Sequence, residues 1–154
     1  MGYTHNWTGK PATTKNFKVF VDTCKQLHDA LPEQSDTAGG YYSDEPIVIC
    51  GDDGTGLPEF SKEKVAFNGT AEDEMMHESF WILKGGEVDF CKTNRKPYDL
   101  LVCACLIAAK EILGYDVSSN GEEEEWQDAI NLYKEIIDPQ LEFRLEKWNN
   151  VQIR

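Results

Sequence analysis

The sequence predicts an α+β domain: a mainly antiparallel sheet packed on a buried central helix, with two further helices alongside. Three observations carry this expectation. Residues 97–113 contain the run LLVCACLIAA, apolar nearly all round, as in a helix covered on several sides. Gly85-Gly86 separates two alternating segments, as in a two-residue hairpin. Residues 16–31 and 120–137 repeat apolar side chains at helical spacing. The chain of 154 residues fits a single globular domain, 1–154, and has no linker or internal repeat to divide it.

Along the chain, Tyr3-Thr4-His5-Asn6-Trp7 reads as a short first strand. In the helix over 16–31, Asn16 is the expected N-cap, Phe17, Phe20, Val21, Cys24, Leu27, His28 and Leu31 form its apolar stripe, and Pro32 ends it. On that stripe His28 reads as a packed, hydrogen-bonded side chain. Residues 32–46 are rich in turn formers and read as a loop. Residues 46–50 (PIVIC) and 64–68 (KVAFN) read as strands. Between them, Gly51 to Gly56 reads as a plain turn. Its spacing fits no phosphate loop, and its aspartates repel phosphate. The acidic stretch 70–77 reads as a loop or short helical turn.

The hairpin turn fixes a register. Leu83, Val88, Trp81 and Phe90 then share one face, expected to be the core face, with Ser79 and Lys92 at its open end. Phe80, Ile82, Glu78, Cys91 and Thr93 share the other. In the following helix Pro97 suits the first position, Asp99 meets the positive end of the helix dipole, and Gly114 ends it. Residues 115–118 read as an edge strand. Helix 120–137 is expected to be capped by Ser119 or Asn120, with Glu122 to Glu125 in its first turn. Residues 141–153 fit a strand or a helix equally, and their apolar side chains offer an oligomer contact.

Composition removes several functions. Acidic residues outnumber basic ones 28 to 15, giving a net charge of −13. This opposes general duplex-DNA binding and electrostatic membrane attachment. No apolar run approaches the ~20 residues of a membrane-spanning helix. The N-terminal segment is polar, unlike a signal peptide, and five cysteines without a C-x-x-C fit a reducing cytoplasm. Cys103 and Cys105 point to opposite sides of a helix and cannot share a metal or a bridge. Each cysteine reads as a small buried apolar residue, with Cys91 a candidate reactive thiol beside Lys92.

One constellation has chemical content. The hairpin end and the central helix start bring together Glu78, Lys92, Thr93, Lys96, Tyr98 and Asp99, with Asn68 a neighbour at its own strand end. Free helix N–H groups and two ammonium groups would suit a phosphate or carboxylate. Tyr98 could stack on a base, and Glu78 or Asp99 could accept from a ribose. The bland alternative is a rim ion pair between Lys92 and Glu78, with Asp99 capping the helix. No Ser/His/Asp order is apparent, and His5, His28 and His77 lack zinc-type spacing. Neither a metal nor a cofactor is expected.

The segments Y-T-H-N-W (3–7), F-N-G (67–69), E-S-F (78–80), F-C-K-T-N-R-K-P-Y-D (90–99) and S-S-N-G (118–121) resemble a family of small proteins of bacteriophage and bacterial genomes. The likeness spans most of the chain, and F-C-K-T-x-x-K-P-Y-D is its most specific part. It implies a phage or prokaryotic setting with the matched residues as site candidates, and brings no activity with it. The leading expectation is a phage-type cytoplasmic binding protein that captures a small anionic ligand, such as a nucleotide signal of host defence. The alternatives are an acidic inhibitor of a host nucleic-acid-acting enzyme, a phosphate-ester hydrolase using Glu78, Asp99 and His77, and a structural phage protein.

Overall fold

A computed structural model of the chain describes residues 3–35, 42 and 44–147. It has the expected α+β class. Strand β1 (Thr4–Gly9) is followed by helix α1 (Thr14–Asp29), the short strands β2 (Gln34–Ser35), β3 (Glu45–Pro46) and β4 (Glu59–Phe60), and strands β5 (Lys64–Phe67), β6 (Phe80–Leu83) and β7 (Glu87–Lys92). Helix α2 (Asp99–Leu113), strand β8 (Asp116–Ser119), helix α3 (Gln127–Ile136) and the short strand β9 (Glu146–Lys147) complete it. One sheet has the order β7-β1-β8-β9, a second β4-β5-β6, and β2 pairs with β3. All pairings are antiparallel except β9, which lies parallel to β8.

The central helix behaves as its composition demands. Every residue from Leu101 to Ala109 is buried, and Gly114 ends the helix in the left-handed conformation, φ 74°. Its two cysteines diverge: Cys103 reaches His5, whereas Cys105 faces Cys24 on α1, both as free thiols. The start of α1 is capped by Thr13, whose hydroxyl accepts from the Asn16 N–H; Asn16 itself lies inside the helix. Side chains Phe17, Phe20, Val21, Cys24 and Leu27 make its buried stripe. His28 stays half-exposed, bonded to Asp29 and resting on Phe60.

Several local expectations give way to tertiary context. Residues 47–49 form no strand, and only Cys50 makes a bridge, to Asn68. Strand β8 is interior rather than an edge, because β9 covers its second side. The third helix opens as a 3-10 turn over Glu123–Trp126, capped reciprocally by Glu122 and Glu125. Ser119 is therefore free for another role. In the tail, Leu141 and Leu145 are buried, and Phe143 stacks on Trp126 at 5.5 Å. These apolar residues are spent on the domain itself; residues 148–153 lie outside the described ones.

The largest correction concerns residues 78–93. Strands β6 and β7 flank the Gly85-Gly86 turn but belong to different sheets. Carboxylates occupy amides that a hairpin ladder would use. Glu87 accepts from the Leu83 N–H at 2.7 Å, Asp89 from the Phe90 N–H at 2.8 Å, and Glu78 from the Lys92 N–H at 2.8 Å. The faces are also reversed. Phe80, Ile82, Cys91 and Thr93 are buried, whereas Trp81, Leu83, Val88 and Phe90 are exposed. Neighbouring strands decide this. Phe80 packs on Trp7 at 5.2 Å and on Phe67 at 5.1 Å, so the core is already aromatic on that side.

The reversal sets two substitutions apart. Phe80→Ala is expected to cost about 3–5 kcal/mol of unfolding free energy, and Phe90→Ala less than about 0.5–1 kcal/mol. Urea unfolding of both variants checks this, and equal losses would contradict the assigned faces. Glu87 gives a second check. Burial raises its pKa, as does the neighbouring Asp89 charge, against the opposing Leu83 N–H. The folded chain thus holds this proton more tightly than the unfolded one, and that stability is lost as pH rises through the folded pKa. Glu87→Gln keeps an oxygen for Leu83 but cannot ionise. Its Tm at pH 7 is expected to equal or exceed that of the parent, with the advantage gone near pH 4.

Candidate functional site

Strand β1 alternates, so Tyr3, His5 and Trp7 point inward together. His5 faces Cys91 on β7 and Ser119 on β8, which places it at the middle of the sheet. There it meets the start of α2. His5 Nε2 lies 2.8 Å from Asp99 Oδ1, and Nδ1 lies 2.9 Å from Ser119 Oγ. The Thr93 hydroxyl donates to the same Asp99 oxygen at 2.6 Å. Cys103, one helical turn beyond Asp99, places its sulfur 3.5 Å from His5 Nε2 and 3.6 Å from Asp99 Oδ2. The Gly121 N–H donates to Ser119 Oγ at 2.9 Å.

This network is closed to solvent: His5, Thr93 and Ser119 are fully buried, and Asp99 is 5% exposed. Around it stand Tyr3 and Trp126, edge-on to the His5 ring at 4.8 and 5.0 Å. Burial pushes the Cys103 thiol up, and the Asp99 charge pushes it further. Burial likewise raises Tyr3, with Asp99 and Cys103 adding to the effect. The residue types Ser119, His5 and Asp99 are those of a nucleophilic triad. With no solvent-accessible serine, the arrangement offers a substrate nothing to meet; its chemistry is that of a buried, mutually satisfied polar cluster.

Of the residues expected to bind ligand, Thr93 and Asp99 belong to this network. Tyr98 is buried; its hydroxyl donates to the Glu78 carbonyl, so its ring offers no stacking surface, and burial raises its pKa. Asn68 is also buried. Its amide donates to the His77 carbonyl, and its oxygen accepts from the Gly69 and His77 N–H groups, which closes its own turn. The first N–H groups of α2 donate to carbonyls of the preceding turn: Asp99 to Lys96 at 2.9 Å, and Leu101 to Tyr98 at 3.1 Å. What remains at the surface is Glu78, Lys92 and the half-buried Lys96. Lys92 lies over Phe90 at 5.9 Å and Lys96 over Tyr42 at 4.9 Å. Neither makes an ion pair among the described residues. Cys91 is buried and donates to the Glu78 carbonyl, on the opposite strand face from Lys92, and burial raises its pKa. His77 is exposed while Asp99 is buried, so the proposed hydrolytic set is not assembled.

Sequence reasoning missed His5, Cys103 and Ser119. His5 stands 98 residues before Cys103 and 114 before Ser119, and only the sheet and α2 bring it to them. It also missed the outer face. Trp81 is 37% exposed, Leu83 37%, Val88 78% and Phe90 50%, all on the outer side of β6 and β7. By register, Glu59 lies beyond Ala66 and Trp81 on one flank of this face, and Asp116 lies beyond Thr8 and Val88 on the other. Surface clefts open elsewhere on the chain. One of about 460 Å³ lies between α3 and Pro32, and one of about 550 Å³ lies between α1 and Phe60. Neither touches the predicted ligand residues.

No protein family, curated protein or solved structure matches the chain.

Removing one partner from a buried, hydrogen-bonded histidine–carboxylate pair strands the other. His5→Ala is therefore expected to lose about 3–5 kcal/mol of stability, measured by chemical unfolding. A loss below about 1 kcal/mol would mean that Asp99 is satisfied without it.

Proposed function

We infer that the protein works by binding another protein, through the outer face of β6 and β7. The observation that carries this reading is the exposure of Trp81, Leu83, Val88 and Phe90 on the two strands that flank the Gly85-Gly86 turn. Soluble monomers rarely leave such clusters uncovered unless they are used. Asp116 and Glu59, the latter paired with Lys64, flank the apolar centre, within a chain of net charge −13. A complementary partner has an apolar centre and a basic rim, the kind of surface that nucleic-acid-acting enzymes present. In the phage or prokaryotic setting that the sequence resemblance implies, that partner is a host protein. An anionic group on the partner would meet Lys92, two residues from Phe90 on the same face.

A second reading rests on Lys92 and Lys96, two ammonium groups with no ion pair among the described residues. They suit a small anion such as a nucleotide. Here Lys92 and Lys96 would do the binding, since the α2 N–H groups are engaged.

Paired experiments separate the two. Affinity capture from host lysate uses the parent and the double variant Val88→Lys/Phe90→Glu. The expected result is a basic protein retained by the parent and lost with the variant, whose Tm stays within a few degrees of the parent. Identical captures from both would overturn the first reading. A melting-temperature rise with nucleotides, abolished by Lys92→Ala, would favour the second.

A further inference from the structure

We propose that His5, Asp99 and Cys103 form a closed site for one divalent transition-metal ion of the zinc class. Their donor atoms lie within 4.8 Å of one another. Tetrahedral bonds of about 2.0–2.3 Å place such donors about 3.3–3.6 Å apart. The sulfur sits at 3.5 Å from His5 Nε2 and 3.6 Å from Asp99 Oδ2, which already matches. The histidine meets the other carboxylate oxygen, Oδ1, at 2.8 Å, so an ion held by Oδ2, Nε2 and the sulfur would enter in place of that hydrogen bond.

Two further observations point to an ion. The supporting shell is built: Ser119 Oγ stands on the other histidine nitrogen, and the Thr93 hydroxyl holds the carboxylate. Such contacts orient metal ligands. Beside them the buried Tyr3 hydroxyl has no hydrogen-bond partner among the described residues, although its ring packs on His5. Charge agrees as well. A thiolate and a carboxylate neutralise a dication, so no net charge is buried. Binding releases the Cys103 thiol proton to solvent. The His5 proton moves from Nε2 to Nδ1, where Ser119 Oγ accepts it. With no accessible position, the ion would hold β1, β8 and α2 together and would enter as the chain folds.

The probe is cobalt(II). The parent chain is unfolded, refolded with cobalt(II) or with chelator, and compared with Cys103→Ser and Ser119→Ala. Expected are about one cobalt per chain, a thiolate-to-cobalt absorption band and a Tm above that of the chelated protein. Cys103→Ser should lose the band, and Ser119→Ala should bind about 10–100-fold more weakly. A parent chain that refolds with cobalt(II) yet holds no metal overturns the proposal, whether or not Cys103→Ser folds. A band that survives in Cys103→Ser places the metal elsewhere and overturns it too.

Discussion

The His5–Asp99 contact is the constraint on which the rest of the fold depends. It joins the centre of the main sheet to the first turn of the one helix that is buried on nearly every side. A carboxylate in that position has lost its water and needs donors in return. His5, Thr93 and Cys103 supply them, and Ser119 holds the far side of the ring. Five residues from β1, β8, α2 and the turn before α2 therefore have to arrive together. This fixes which face of β1 looks inward. Because β7 is in register with β1, it also fixes which face of β7 looks outward.

That chain of constraint explains how far the sequence could be read. The helices were legible because their signal is local: apolar spacing in α1, continuous apolarity in α2, and a Gly114 stop. Strand β1 was legible for the same reason. The segment 78–93 was not. Its two faces are almost equally apolar, with Phe80, Ile82 and Cys91 against Trp81, Leu83, Val88 and Phe90. Local alternation cannot choose between such faces; Trp7, Phe67 and His5, supplied from elsewhere, make the choice. The acidic plugs at Glu78, Glu87 and Asp89 were invisible for a related reason, since they act on backbone amides.

The predicted site shows the same division. The expected convergence at the start of α2 does place Thr93 and Asp99 together. The sequence points to an external anion as their partner, but the Asp99 carboxylate itself occupies that helix end, and its partners come from β1 and α2. Nothing in the sequence marks His5 or Ser119 as such, because their spacing is set by strand pairing and not by a motif. The binding surface proposed above lies instead on the apolar outer face of β6 and β7, with Lys92 at its margin. A rigid buried network beneath an exposed strand pair suits a binding protein, since it presents the apolar side chains at little entropic cost on docking.

The most direct test of this account is a double-mutant cycle with His5→Phe and Asp99→Leu, each replacing a polar group by an apolar one of similar shape. If the pair is the organising contact, each single variant strands its partner. The double variant is then far less damaged than the sum, with a coupling of about 2–3 kcal/mol. Additivity within about 0.5 kcal/mol would contradict it, and would mean that packing around α2 sets the register without this contact.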